Sequence, residues 1–252
     1  MIIRDFDVIV AYEEPDDATI KSIMQQNNIL KNEAIIEYIA KWKTVASSFK
    51  FQTRCTASMF KRILGKTIKA DCRKIVVECV ENITDMRTIN YTGFRTIQVK
   101  YNYHEFFSLK PLEKKKKTLE LLMEGIQKIA DLLHWDMTPF NQAYEEIIIQ
   151  DYQNHWMWKK TRSPNRDMTA ELWVFHEIDS VDLVLVIRDK KGVEICRELI
   201  VSDKPDELIF DNYLGVFQWE NNSRITLIAK SPEMRPDVTY TGYHWKWSYV
   251  VE

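Results

Sequence analysis

Residues 170–202 read AELWVFHEIDSVDLVLVIRDKKGVEICRELIVS. Three runs rich in β-branched and aromatic side chains are separated by short polar breaks, which predicts strands over Ala170–Ile178, Val181–Asp189 and Val193–Ser202. In DKKG, Gly192 supplies the positive φ that a tight hairpin loop requires, so the second and third runs pair antiparallel. The same texture continues in LGVFQW (214–219), RITLIAKS (224–231) and YHWKWSYVV (243–251), and no helical period of useful length returns after about Asn154. The expected fold class is α+β. An N-terminal domain of strand, helices and hairpin spans 1–153, and a mainly antiparallel, sandwich-like β domain spans 154–252.

Working back toward the N-terminus, Phe6, Val8, Val10 and Tyr12 alternate with their neighbours as a half-buried strand does, and Pro15 with Asp16 and Asp17 then signals a helix start. Helical spacing from Ala18 to about Lys43, interrupted near Asn27 and Asn28, predicts two helices joined by a short turn. Residues 44–70 fit either a strand followed by a helix or one irregular segment. KIVVECVE (74–81) and FRTIQVKYNYHEFF (94–107) read as the arms of a long β-hairpin. Pro111 opens the clearest helix, with Leu119, Leu122, Ile126, Ile129 and Leu133 on one stripe, and Thr138 with Pro139 opens another.

The opening MIIRDFDVIVAY carries charge inside its apolar stretch and reads as a strand, not a secretory signal. No apolar run reaches the ~18 residues of a membrane span, so a soluble protein is expected. Four scattered cysteines in 252 residues do not make a disulfide scaffold, and reduced thiols in a cytoplasm are the expectation. The excess of Ile, Lys and Asn is what AT-rich coding produces and hints at a bacterial or phage chain.

Chemical signatures are missing. Gly65-Lys66-Thr67 resembles the end of a phosphate loop, but the first glycine of that loop is replaced by Phe60, and no G-x-G-x-x-G occurs among six glycines. Cys72 and Cys79 lack a second pair at zinc spacing. The five histidines show no HExxH pattern, and only His155 and His244, each followed by Trp, suggest a shared surface. Asp5 and Asp7 share a strand face, and Glu78 lies on another strand, without the spacing of a common nuclease core. The expected catalytic, cofactor and metal sites are therefore none.

Charge is more informative by segment: residues 1–40 carry a net -5, 41–117 a net +12 and 118–252 a net -9, for a total of -2. Within 41–75 ten basic residues face the single Asp71, interleaved with Trp42, Phe49, Phe51 and Phe60. Lys61, Arg62, Lys66 and Lys69 are candidate contacts for an acidic protein or for nucleic acid. Lys114–Lys117 oppose a helix macrodipole at its positive end. Trp156 with Trp158, and Trp245 with Trp247, form i, i+2 pairs, each on one strand face. Outward, they would anchor a protein interface; inward, they are core. The sequence thus points to a non-enzymatic intracellular module that binds a protein partner, of the bacterial toxin-neutralising (immunity) or defence kind. The alternatives are nucleic-acid binding through 41–75 and an enzyme whose site is assembled from distant residues.

Overall fold

A computed structural model describes residues 1–66, 68–230 and 245–251. The chain divides into two compact units, Met1–Tyr152 and Gln153–Glu252. The described residues combine helices with several sheets, strands and helices alternating in the first unit and strands dominating the second, an α+β architecture.

The first unit holds a four-stranded sheet in the order β1 (Asp5–Val10), β2 (Lys74–Val80), β4 (Phe94–Lys100), β3 (Ile89–Tyr91). β1, β2 and β4 are parallel, and only β3 and β4 are antiparallel. The expected hairpin between 74–81 and 94–107 is therefore corrected. After β2 the chain passes beyond the position of β4, forms β3 at the sheet edge, and returns through Thr92 (φ 52°) and Gly93 (φ 89°). Two consecutive positive φ values make the tight two-residue hairpin turn, so β4 pairs with β3 in hairpin fashion and with β2 in parallel. β4 stops at Lys100, because Asn102 accepts the His104 amide and starts the short helix α3 (Tyr103–Phe106).

α1 (Asp17–Asn27) is capped by Asp16, whose carboxylate accepts the Thr19 amide at 2.7 Å. α2 runs unbroken from Lys31 to Leu64. Residues 44–64 are neither a strand nor irregular: with no Gly or Pro between Lys31 and Leu64, nothing interrupts the helix until Gly65 at φ 68°. Its course lies along the edge strand β1. Thr53 Oγ1 donates to the Val8 carbonyl (2.9 Å), an Arg54 Nη1 to the Phe6 carbonyl (2.7 Å) and Trp42 Nε1 to the Ala11 carbonyl (3.3 Å), so side chains satisfy edge groups that lack a strand neighbour.

α4 (Pro111–Leu133) and α5 (Thr138–Ile149) complete this unit. Leu119, Leu122, Ile126 and Ile129 are buried against Phe6, Val8, Ile75, Val77 and Ile97. Gly125 sets the distance of approach: a Cβ there would lie 2.4 Å from a Val77 methyl and 3.2 Å from Ile97. In the lysine run, Lys114 donates to Gln52 at 2.6 Å and Lys115, though buried, reaches the Tyr152 carbonyl at 3.2 Å.

The second unit has two antiparallel sheets. One is β5 (His155–Arg162), β6 (Met168–His176), β7 (Val181–Asp189) and β8 (Glu194–Asp203) in sequential order; the other is β11 (Lys246–Val250), β10 (Arg224–Ile228), β9 (Val216–Trp219). Leu172, Val174, Leu183 and Leu185 of the first sheet share one core with Phe217, Ile225 and Leu227 of the second, so the unit is sandwich-like. Gly192 has φ 86° in the β7–β8 turn. The short helix α6 (Glu207–Phe210) contributes Phe210 to that core.

Candidate functional site

The face of the first sheet opposite its core carries Asp5 and Asp7 on β1 and Lys74 on β2, and Arg54 reaches them from α2. Asp5 accepts from Arg54 (2.8 Å) and Lys74 (2.8 Å), with Lys61 at 3.5 Å; Asp7 accepts from Arg54 (2.7 Å) and lies 2.6 Å from Lys74. Burial alone would raise the Asp5 carboxyl, but Arg54 and Lys74 outweigh it and hold it well below the usual carboxylate range. Burial likewise opposes the Lys74 charge, and Asp7 and Asp5 reverse the effect, leaving its ammonium harder to deprotonate than usual. A carboxylate so compensated neither gives nor takes a proton near neutral pH. The geometry is that of a lock between α2 and the sheet.

This lock changes the reading of the basic segment. Lys61 turns toward Asp5, while Arg62, Lys66 and Lys69 are exposed. Main-chain bonds join the N-terminus to the same region: Ile3 N to Ile68 O (3.0 Å), Arg4 N to Arg73 O (2.7 Å) and Ala70 N to Met1 O (2.9 Å). Arg4 and Arg73, both exposed, therefore lie beside Lys69 at the start of β1 and β2. Thr67 is outside the described residues. Gly65 ends α2, with its amide donating to the Lys61 carbonyl as a helix end does.

The two tryptophan pairs face inward. Trp156, Trp158, Trp245 and Trp247 are all half-buried and packed against the core of the second unit, with Trp156 6.5 Å from Phe210 and Trp245 5.0 Å from Tyr213, ring to ring. Spacing of i, i+2 states that two residues share a face, and here that face is the core side. His244 is outside the described residues. His155 lies 2.6 Å from Glu177.

The other face of the β5–β8 sheet carries an arrangement that residue spacing did not single out. Register places Met157, Trp173, Val184 and Leu199 in one row straight across the four strands. Met157 is 42% and Leu199 54% exposed, with Trp173 and Val184 half-buried between them. The next row toward one end is His155, Phe175, Asp182 and Ser202. Toward the other end come Lys160, Glu171, Val186 and Arg197, then Arg162, Thr169, Arg188 and Glu194. The apolar row thus lies between rows that are largely polar, with Phe175 and buried Val186 the apolar members of its two neighbours.

Trp173 is fixed in place. Its indole N–H donates to Glu171 at 3.1 Å, and Glu171 also accepts from Lys160 (2.9 Å) and Arg188 (3.2 Å). Burial would raise the Glu171 carboxyl; the donors from Lys160, Trp173 and Arg188 outweigh it and hold it below its ordinary range. A tryptophan held this way presents a pre-ordered apolar surface and loses little freedom on contact. The available signal was β6 itself, where Trp173 and Phe175 alternate with the core residues Leu172 and Val174, so that both faces are apolar.

Among the described residues, no group of three or more His, Cys, Asp or Glu side chains is placed to hold a metal ion. All four cysteines are free, and Cys79 is so buried that its thiol is pushed up to about 12, out of reach of nucleophilic chemistry at neutral pH. Comparison with protein-family models, with curated proteins and with solved structures gives no match.

Proposed function

We propose that this chain is a cytoplasmic, non-enzymatic binding module that recognises a protein partner through the outer face of its β5–β8 sheet. The observation that carries the reading is the row Met157–Trp173–Val184–Leu199, an exposed apolar strip at the centre of a face whose remaining rows are largely polar. The best-defined carboxylate cluster, around Asp5 and Asp7, is neutralised by Arg54 and Lys74, which supports binding over catalysis. Four free cysteines, three of them buried, suit a reducing compartment. No helix among the described residues is long and apolar enough to cross a membrane.

The test is capture of partners from a lysate of the source cell by the tagged full-length chain, with and without nuclease, comparing the natural protein with Leu199→Lys. Leu199 is 54% exposed, so the variant keeps its fold. The reading expects a stoichiometric protein that survives nuclease and is lost with Leu199→Lys. Capture unaffected by that substitution overturns it.

A second reading, nucleic-acid binding, is favoured by the junction of Arg4 and Arg73 with the basic stretch ending at Lys69. Its variants are Lys66→Glu, Lys69→Glu and Arg73→Glu, which avoid Lys61 because Lys61 faces Asp5. Binding to DNA or RNA that falls steeply with salt and disappears in the triple variant supports it. No affinity at low salt rejects it.

A further inference from the structure

We infer that the end of the first sheet where β1 and β2 begin binds single-stranded nucleic acid, with phosphates on Arg4, Lys69 and Arg73 and bases on Tyr91 and Phe94. The inference rests on the second reading above, nucleic-acid binding by the basic stretch, and adds the strandedness of the ligand and the residues that take its bases. The surface shares no residue with the Met157–Leu199 row.

Backbone pairing gathers the three cations. Lys69 stands opposite Ile2 in an antiparallel bridge, and Arg4, two residues on from Ile2, leaves the chain on the same side. Asp5 pairs with Lys74 in parallel, and the Arg4 amide donates to the Arg73 carbonyl, so Arg4 and Arg73 are neighbours on that side too. Lys69, Arg4 and Arg73 therefore lie on three adjacent segments, about two strand spacings of ~4.8 Å from first to last. All three are exposed, and none has an ion-pair partner among the described residues. The nearby acids are already compensated, Asp71 by Arg95 and Asp5 by Arg54 and Lys74. The site is thus left with positive charge that the fold does not use, which a polyanion neutralises with release of counterions.

The β3–β4 hairpin brings two rings to the same end. Tyr91 and Phe94 pair across the Thr92–Gly93 turn and are 76% and 49% exposed. Gly93 accepts the amides of Arg73 and Lys74, and the Arg73 side chain passes close enough that a Cβ on Gly93 would lie 3.8 Å from its Cγ. Phe94 stands opposite Lys74, one residue past Arg73, so the rings leave the sheet on the side opposite the three cations. A flexible strand that turns over this end can set its backbone on the cations and its unpaired bases on the rings. A duplex keeps its bases stacked inside and can use only the cations. A carboxylate-rich protein likewise matches the cations but supplies no planar group for the rings.

Fluorescence anisotropy with the full-length protein tests this, using labelled oligothymidylate and oligouridylate of about 16 nucleotides, a duplex of equal length and polyglutamate. Either single strand should bind more tightly than the duplex and than polyglutamate, and the order of the two single strands shows whether DNA or RNA is preferred. The logarithm of affinity should fall with that of salt at a slope of about −2, as three phosphate contacts require. Tyr91→Ala and Phe94→Ala should each weaken binding at least about fivefold while keeping that slope, and Tyr91→Phe should retain affinity. Lys69→Glu and Arg73→Glu should weaken binding and flatten the slope. Circular dichroism confirms that each variant folds. If the charge variants abolish binding but the alanine variants do not, or if the duplex binds equally well, the inference falls and the second reading stands. Polyglutamate binding as tightly as the single strands assigns the cations to an acidic protein and overturns the inference. No affinity for any nucleic acid at low salt overturns both.

Discussion

In the first unit, the sheet face opposite the core carries Asp5, Asp7, Lys74, Glu78 and Gln98 with Ile9, Val76 and Phe94 scattered among them; in the β5–β8 sheet the apolar residues Met157, Trp173, Phe175, Val184 and Leu199 are contiguous, between charged residues such as Asp182 and Arg197. Both sheets bury one face under an apolar core. The first intersperses its apolar side chains with charged groups that neutralise one another. The second leaves apolar area exposed around a tryptophan that its own carboxylate holds in place. Charge that is compensated within a fold builds the fold, whereas ordered apolar surface that the fold leaves exposed is available to a partner.

If the lock in the first unit is structural, breaking it should cost more than anything done to the outer face of the second. Arg54→Met leaves two half-compensated carboxylates beside Lys74 and should destabilise the first unit by about 3–5 kcal/mol, read as a lowered midpoint in thermal unfolding. Gly125→Ala forces a methyl into Val77 and should cost about 1–3 kcal/mol by the same measurement.

Acid provides a milder probe. The Asp5 carboxyl is held below its unfolded value, so its contribution is complete above about pH 4 and is lost as pH falls toward the folded value. The unfolding midpoint of the first unit should drop as pH falls below about 4, and Asp5→Asn should flatten that drop. Glu78 behaves oppositely: burial raises its carboxyl, so the stability associated with its neutral form is present in acid and fades as pH rises through the folded value. Glu78→Gln should therefore raise the midpoint slightly at pH 7 and leave it unchanged at pH 3. The smallest stability effect belongs to Leu199→Lys, within about 0.5 kcal/mol, although it should abolish association.

The sequence disclosed what local periodicity encodes. β1, α4 and the β6–β7–β8 meander follow from their apolar spacing and from Gly192. Periodicity does not encode the path of the chain, so β2 and β4 were read as a hairpin although a three-residue edge strand intervenes and makes them parallel. Residues 44–64 looked ambiguous because this part of α2 packs on both a strand edge and other helices, which spreads its buried positions around the helix. The candidate surface was partly legible. Aromatic residues on β strands pointed to the second unit, but the i, i+2 rule is blind to which side is covered. It selected the core-facing pairs at 156/158 and 245/247, whereas Trp173 with Phe175 lies on the outer face.

Capture of partners by the natural chain, by Leu199→Lys and by Lys69→Glu, side by side, compares the two surfaces most directly. The account predicts a nuclease-resistant protein that is lost with Leu199→Lys and kept with Lys69→Glu. Loss with Lys69→Glu alone, or capture that neither substitution changes, would contradict it.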